Sequence, residues 1–411
     1  MKNLNTGLIS KKILLPNTED YTSWSVIACD QFTSELDYWQ KLEETVKGKL
    51  SALNLVLPEI YLNDKMDERI EKINKNIKEY LNSGAFYELP KGFILTVRKT
   101  PYVERRIGLI GAVDLEEYDF KKGATPKVRA TEGTIEERIP PRLKIRKNAD
   151  VEFSHIMILF DDENREINEK LYENRSQYKK VYDFELNMGG GHIEGYFIPD
   201  EQVVLDAFSK LACEERLIKK YGKNDQFIFA VGDGNHSLAT AKTHWENVKK
   251  TLTEEERKTH PARFAICEFV NIYDEGIYFE PIYRFVTGVN ANEFAEELYT
   301  AVSGRYGVVT ANLEKSKNGE ISLPDTIKNV DAFIKDYIEK HGGEVDYVHG
   351  EDNLRKLIKA KNGVGITLDK LEKSELFKYV SNSGPLPRKT FSMGENIEKR
   401  YYLEGSRITN D

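Results

Sequence analysis

Segments with helical and with strand-like periodicity alternate along this chain, and the alternation restricts it to folds that combine helices with β-sheets. Apolar residues recur at helical spacing from Met66 to Leu81, and Gly84 follows as a stop signal. Residues 92–99 and 107–115 predict two strands, because both are apolar runs of strand length. The pattern predicts an α/β or α+β protein with mixed sheets and leaves the order of the strands open.

Length and charge limit the classes of protein to which the chain can belong. With 411 residues, of which 40% are hydrophobic, it can bury a sizeable core, and we expect two lobes, one over residues 1–200 and one over residues 201–411. The formal net charge of −8 argues against nucleic acid as the main partner. We find no signal peptide and no apolar run of ~20 residues, and so expect a cytoplasmic protein without a membrane partner. The sequence is compatible with a homo-oligomer and does not determine the oligomeric state.

A glycine-rich loop separates a strand-like run from a helical segment within residues 231–242, VGDGNHSLATAK. Gly232 and Gly234 let the chain turn sharply and bring its backbone N–H groups close to a ligand. A helix that begins near Ser237 presents unpaired N–H donors and partial positive charge, which suit a phosphate group. The alternative is a polar turn in which Asn235 or Ser237 caps the helix. Neither the P-loop pattern nor the dinucleotide-binding glycine pattern is present.

Two side chains of this loop can take part in catalysis. Asp233 can hold Mg²⁺ or orient a hydroxyl group, since magnesium prefers oxygen ligands such as carboxylates. His236 can donate a hydrogen bond to a phosphoryl oxygen or relay a proton. The loop is therefore the first candidate for a phosphate site, and a small molecule is the expected partner.

An arginine-rich segment over residues 128–150 is the second candidate. In a phosphoryl-transfer site, the arginines of this segment would neutralise the transferring group, and one of its carboxylates would take the proton of the acceptor hydroxyl. The arginines are Arg129, Arg138, Arg142 and Arg146, and the carboxylates are those of Glu132, Glu136 and Glu137. The alternative is a solvated surface segment whose charges pair with one another, and such pairs contribute at most about 1 kcal/mol each.

Residues outside these segments have weaker patterns. Asp30 lies where an apolar run ends and a helix is expected near Thr33. It is either a metal ligand or substrate-orienting group, or a polar residue that precedes the helix. His155 shows no ligand spacing to the other histidines and is predicted to be structural or exposed. Cys267 lies in an apolar strand-like run and is predicted to belong to the core.

Taken together, the motifs resemble those of the domain-of-unknown-function family 1015. Residues Gly232–Ser237, followed by Ala239–Ala241, are similar to the family's Ala-Asp-Gly-His-His-Arg and the Thr-Ala pair after it. Residues Arg129–Thr134 resemble its Arg-x-His-Glu-x-Thr segment, and Pro387–Phe391 its Pro-x-Lys-Ser motif. With further matches between these segments, the resemblance covers nearly the whole chain.

The resemblance implies both a fold and a reaction. The family's loop is similar to that of free-serine kinases, which implies a ParB/sulfiredoxin-like element around the strand-loop-helix at 231–242. It also implies phosphorylation of free serine with a nucleotide or pyrophosphate as donor. Asp233 and His236 keep the catalytic-looking positions, whereas Asn235 and Ser237 replace histidine and arginine. The replacement of arginine removes a bidentate phosphate contact.

We therefore expect a kinase that phosphorylates a small hydroxyl compound, with L-serine as the first candidate acceptor, Mg²⁺ as the metal, and ATP, ADP or pyrophosphate as the donor. A phosphohydrolase and a nucleotide-binding regulator without turnover are the alternatives. The expected catalytic residues are Asp233, which would also bind the metal, His236, Glu132 and Asp30. The expected phosphate-binding residues are Gly232, Gly234, Asn235, Ser237, Arg129, Arg142 and Lys389.

Overall fold

The computed structural model describes residues 5–62, 64–121 and 123–410. The chain divides into unit 1, which comprises Met1–Ile277 and Glu395–Asp411, and unit 2, which comprises Tyr278–Gly394. The expected division between residues 200 and 201 falls inside unit 1, because strands from both sides of it belong to one sheet.

The elements alternate as the sequence predicts. In chain order the strands are β1 (Leu8–Ile9), β2 (Lys11–Pro16), β3 (Val26–Ile27), β4 (Phe86–Lys99), β5 (Arg106–Asp114), β6 (Val128–Ala130), β7 (Val151–Phe153), β8 (Met157–Phe160), β9 (Lys179–Glu185), β10 (His192–Ile198), β11 (Phe229–Asp233), β12 (Phe264–Asn271), β13 (Phe279–Thr287), β14 (Tyr306–Val309), β15 (Glu314–Lys317), β16 (Glu344–His349), β17 (Val364–Leu368), β18 (Phe391–Met393), β19 (Tyr401–Tyr402) and β20 (Gly405–Arg407). The α-helices are α1 (Tyr21–Trp24), α2 (Leu36–Val46), α3 (Met66–Asn82), α4 (Ile139–Arg146), α5 (Asn168–Glu173), α6 (Glu201–Ser209), α7 (Glu214–Tyr221), α8 (Asn235–Val248), α9 (Glu254–Thr259), α10 (Ala291–Ala301), α11 (Leu323–His341), α12 (Glu351–Lys361) and α13 (Lys373–Ser383).

Unit 1 is built around a mixed 12-stranded sheet, which confirms the predicted mixed α/β class. Its main path runs β6-β11-β8-β12-β5-β4-β2-β20-β7, with β1 beside β5 and the β9–β10 hairpin beside β4. Strand β11 is parallel to β6 and antiparallel to β8. The end of β11, the end of β6 and the start of β8 therefore lie at the same edge of the sheet. At this edge the glycine-rich loop is flanked by the segment that follows β6 and the segment that precedes β8.

Local sequence explains the principal elements of this sheet and the helix before it. Every residue of β5 is buried, which accounts for its unbroken apolar run. Helix α3 buries Ile70, Ile73 and Ile77 on one face and exposes charged residues on the other, as its spacing predicts. Cys267 is fully buried in β12, which confirms its assignment to the core.

Unit 2 has its own antiparallel sheet, in the order β15-β14-β17-β13-β16, with β18 paired to β13. Helices α10 and α11 cover an apolar core that includes Phe294 and Ile334. The guanidinium of the fully buried Arg284 pairs with Asp331, with Nε 2.8 Å from Oδ1.

No helix in the described part of the chain combines the length and the apolar character that a membrane span requires.

Candidate functional site

The glycine-rich loop joins β11 to α8 as predicted, but the turn is shorter than expected. Strand β11 ends at Asp233 and helix α8 begins at Asn235, so Gly234 alone connects them. Gly234 has a φ of +76°, in the left-handed region that glycine adopts without steric cost. The expected helix start near Ser237 is wrong by two residues, because Gly234 turns the chain at once.

The N-cap position of α8 is occupied by Gly234, which has no side chain to cap the helix. The alternative in which Asn235 or Ser237 caps the helix is therefore wrong. The first N–H groups of a helix have no partner within the helix, and they carry its partial positive charge. A helix end of this kind is suited to a phosphate group.

Substitution of Gly234 tests the turn. A Cβ at this position would lie 3.0 Å from both Cα and Cγ1 of Ile156, in addition to the left-handed φ. We expect Gly234→Ala to lower the free energy of unfolding by more than the ~1–2 kcal/mol that the left-handed conformation alone costs. Urea unfolding followed by tryptophan fluorescence measures this loss. Gly222→Ala is the matched control, since Gly222 has a φ of +81° and no heavy atom within 4 Å of its added Cβ. Equal losses in the two variants would contradict the close contact.

Asp233 meets a lysine from the far end of the chain. One carboxylate oxygen, Oδ1, accepts a hydrogen bond from the N–H of Gly234 at 2.9 Å, and Oδ2 lies 3.4 Å from Nζ of Lys399. The side chains of Lys399 and Asp233 are only 13% and 18% exposed, so solvent screens this pair less than a surface pair. No local pattern predicts that Lys399, which lies 166 residues further along the chain, contacts this loop.

Asp30 and His155 form a second charged pair beside the first turn of α8. Nε2 of His155 lies 3.6 Å from Oδ2 of Asp30 and 3.3 Å from Oγ of Ser237. On the other side of the ring, Nδ1 lies 2.7 Å from the hydroxyl of Tyr402. His155 was predicted to be structural or exposed, and the structure shows that it is buried. The prediction is incomplete, because the imidazole of His155 also links Asp30 to the loop.

The ionisation of this pair follows from its surroundings. Burial raises the pKa of Asp30, but the charge and hydrogen bond of His155 lower it more, so the pKa lies well below its ordinary value. Burial lowers the pKa of His155, but the charge and hydrogen bond of Asp30 raise it more, and Asp233 raises it further. Lys399 also lowers the pKa of Asp30. The four groups Asp30, His155, Asp233 and Lys399 are therefore coupled electrostatically.

The variant Asp30→Asn tests this coupling. Burial continues to disfavour the imidazolium ion while its main counter-charge is lost, so we expect the pKa of His155 to fall below that in the unsubstituted protein. NMR titration measures the change, with His155→Gln used to assign the resonance. An unchanged or higher pKa would contradict the pairing.

The same pair gives stability a predictable pH dependence. The raised pKa of His155 contributes stability that is fully present below its ordinary value of 6.5 and is lost as pH rises through the raised value. The lowered pKa of Asp30 contributes stability above its ordinary value of 3.8 that is lost as pH falls. Asp30→Asn should therefore reduce the free energy of unfolding most between these two ordinary values.

The segment after β6 runs beside the loop. The hydroxyl of Thr131 donates to the carbonyl of Val231 at 2.8 Å, and the N–H of Ile135 donates to Nε2 of His236 at 3.3 Å. Because Nε2 of His236 accepts this hydrogen bond, the neutral imidazole carries its proton on Nδ1. Glu132 follows Thr131 and is half-buried, and its role as a base stays a prediction.

Each of the two arginines expected at the site forms an ion pair with an acidic residue. Both Nη atoms of Arg129 contact the carboxylate of Asp225, at 2.7 and 2.8 Å. Arg142 donates to the carboxylate of Glu59 and lies on α4, which packs against α8. Lys389 belongs to unit 2, where its carbonyl accepts a hydrogen bond from Arg284. Paired in this way, Arg129 and Arg142 have less capacity to bind phosphate than their charges suggest.

The side chains around Asp233 supply only part of the set of oxygen ligands that Mg²⁺ requires. Magnesium is commonly held by one or two carboxylates together with waters and substrate phosphates. Asp233 would supply one such carboxylate. In the described part of the chain, the one group of three or more His, Cys, Asp and Glu ligands lies elsewhere, at Asp183, His192 and Glu194 on the β9–β10 hairpin. The oxygens of a bound phosphate donor would therefore have to complete a magnesium site at Asp233.

Comparison with known proteins gives one family and several distant structures. The family model described as "Protein of unknown function (DUF1015)" matches residues 10–374. A free serine kinase in complex with AMP is 9% identical with a TM-score of 0.37, over 73% of this chain and 92% of that one. A conserved hypothetical protein from Pyrococcus furiosus is 9% identical with a TM-score of 0.34, over 74% and 95% of the two chains. C-terminally truncated SbnI from Staphylococcus aureus is 10% identical with a TM-score of 0.37, over 73% and 87%. No curated protein matches the chain.

Proposed function

The chain belongs to the DUF1015 family of proteins of unknown function, and we propose that it is a phosphotransferase that moves a phosphoryl group onto the hydroxyl of a small metabolite. Free L-serine is the first acceptor to test. One observation carries the proposal: four charged side chains surround the uncapped N-terminus of a long helix at the end of a sheet strand. They are Asp30, His155, Asp233 and Lys399.

The helix end and Lys399 form the donor side of the proposed site. Backbone N–H groups of the first turn of α8 bind phosphate oxygens, and the ammonium group of Lys399 offsets their charge. Lys399 takes the role expected of Arg129 and Arg142. It also replaces the positive charge of the family's loop arginine, whose position Ser237 occupies in this chain. Mg²⁺, when bound, neutralises charge on the donor phosphates, with Asp233 as its ligand from this chain.

Asp30 is the base on the acceptor side. Its low pKa keeps it ionised, and His155 fixes the orientation of its carboxylate. The acceptor oxygen attacks the terminal phosphorus, the bond from that phosphorus to the leaving oxygen of the donor breaks, and the hydroxyl proton passes to Asp30. Glu132 is the second candidate for this base.

Phosphorus NMR tests the function directly. The protein is incubated with Mg²⁺ and L-serine, and with ATP, ADP or pyrophosphate in turn. We expect O-phosphoserine from at least one donor, with none in samples that lack the protein.

The alternatives give different results in the same samples. Absence of product with every donor, together with a melting temperature raised by a nucleotide, would contradict the kinase and favour a regulator. Release of inorganic phosphate at the same rate with and without L-serine would favour a phosphohydrolase.

A further inference from the structure

The β9–β10 hairpin carries an imidazole and three carboxylates on one face, and none of them belongs to the proposed phosphotransferase site. The strand register places Asp183 directly opposite Glu194, and Glu185 directly opposite His192. Alternate residues of a strand point to the same side of a sheet, so all four side chains share one face. Opposite side chains of an antiparallel pair have Cβ atoms about 4.5–5.5 Å apart. The fold of the hairpin alone therefore brings these four groups together.

Three of these side chains converge closely enough to ligate one metal ion. One ligand atom each of Asp183, His192 and Glu194 lies within 4.8 Å of the other two. The ligand atoms of a tetrahedral zinc ion, at about 2.0–2.2 Å from the metal, lie about 3.4 Å from one another. The three side chains are 42%, 35% and 25% exposed, so small rotations into the surrounding solvent close this difference.

The imidazole of His192 lies between two carboxylates. Its Nδ1 is 2.9 Å from Oε1 of Glu185, and its Nε2 is 2.9 Å from Oδ1 of Asp183. A neutral imidazole has one N–H and an ionised carboxylate has none, so only one of these contacts can be a hydrogen bond. When Nδ1 donates to Glu185, the lone pair of Nε2 faces Oδ1 of Asp183, and a second proton or a metal ion must separate them. Histidines that ligate a metal commonly donate their other N–H to a carboxylate in this way.

An ammonium group already marks the position on which Asp183 and Glu194 converge. Nζ of Lys180 lies 2.6 Å from Oδ2 of Asp183 and 2.6 Å from Oε1 of Glu194. Like charges directly opposite each other on two strands are destabilising, and this ammonium offsets their repulsion. It balances one of the three carboxylates, which leaves the hairpin face suited to a further positive charge. Because the side chain of Lys180 is 40% exposed, its ammonium can move into water when a metal ion takes this position.

We propose that Asp183, His192 and Glu194 bind a Zn²⁺ ion, and that Glu185 orients the imidazole. Zinc takes imidazole nitrogen and carboxylate oxygen as ligands, and three protein ligands leave its fourth position to water. The imidazole favours such a transition metal over Mg²⁺ and Ca²⁺, which prefer oxygen ligands. Among the described strands β9 pairs with β10 alone, so the ion adds a second link between this edge strand and the sheet. Zinc binding here does not depend on phosphoryl transfer.

Calorimetric titration of the metal-free protein with Zn²⁺ tests the site. Excess Mg²⁺ is present throughout, so that sites made of oxygen ligands alone are already occupied. We expect zinc to bind with an affinity that falls at least about tenfold in His192→Ala and in Asp183→Asn. The matched control is His341→Ala, which removes an exposed histidine at the end of α11 and should leave the affinity unchanged. No zinc binding, or equal losses in His192→Ala and His341→Ala, would overturn the proposal.

Two further measurements distinguish a metal site from a network of ion pairs. Lys180→Met removes the competing ammonium and should strengthen zinc binding about fivefold or more, the effect of one unit charge at about 4 Å in water. Glu185→Ala should weaken zinc binding about tenfold, because the imidazole loses the group that orients it. Zinc should also raise the melting temperature of the unsubstituted protein and leave that of His192→Ala unchanged. Unchanged or weaker zinc binding in Lys180→Met, or the same zinc-dependent shift in His192→Ala, would overturn the proposal.

Discussion

Asp233→Asn is expected to lower the rate of phosphoryl transfer by at least about a hundredfold while leaving the fold intact. The substitution preserves the shape of the side chain and the oxygen that accepts the N–H of Gly234. It removes the charge that pairs with Lys399 and the carboxylate that would bind Mg²⁺. Initial rates of O-phosphoserine formation, measured with the donor that the unsubstituted protein uses, give the size of the loss.

A matched substitution separates this effect from a general loss of charge. Asp206→Asn removes one carboxylate from the exposed face of α6 in the same unit and should leave the rate within about twofold, as expected for a surface change. Near-normal activity in Asp233→Asn would remove Asp233 from the mechanism.

Arg400→Met is expected to give the largest loss of stability, about 3–5 kcal/mol, because it leaves the buried carboxylate of Glu404 without its cation and removes one of the cations near Glu268. The guanidinium of Arg400 is 4% exposed and contacts the carboxylates of Glu404 at 2.8 Å and Glu268 at 3.4 Å. Its Nε donates to the carbonyl of Ser154 at 2.8 Å, next to His155. Loss of Arg400 should also impair catalysis, since this residue anchors the segment that carries Lys399.

Urea unfolding followed by tryptophan fluorescence measures this loss. The three tryptophans, Trp24, Trp39 and Trp245, are all buried in unit 1, so their emission reports the unfolding of the unit that contains the site. Arg407→Met is the control: the side chain of Arg407 is 35% exposed beside Glu88, and its loss should cost less than about 1 kcal/mol. Losses of similar size in the two variants would contradict the assigned role of Arg400.

The local pattern of apolar residues and glycines was sufficient to predict those elements whose own sequence shows helical or strand-like spacing. Helix α3, strands β4 and β5, and the sequence of strand, loop and helix around Gly234 all follow from apolar spacing and glycine placement. The start of α8 lies two residues before the predicted position near Ser237, because a left-handed glycine ends the strand and begins the helix directly.

The partners of the loop could not be predicted, because pairing between distant segments carries no local signal. His155 reaches the loop because β8 lies beside β11, and Lys399 reaches it because the chain returns to unit 1 after unit 2. For the same reason the sequence did not reveal that Arg129 pairs with Asp225, 96 residues away. The family resemblance predicts a site at the loop and Asp233, and the structure places Lys399 and His155 beside them.

Crystals of the protein with pyrophosphate and Mg²⁺ would test most directly the claim that the loop between β11 and α8 binds phosphate. We predict that the phosphate oxygens accept hydrogen bonds from the backbone N–H groups of residues 235–237, with Nζ of Lys399 in contact with the same group. Pyrophosphate bound with the protein elsewhere, and no anion at the first turn of α8, would contradict this account.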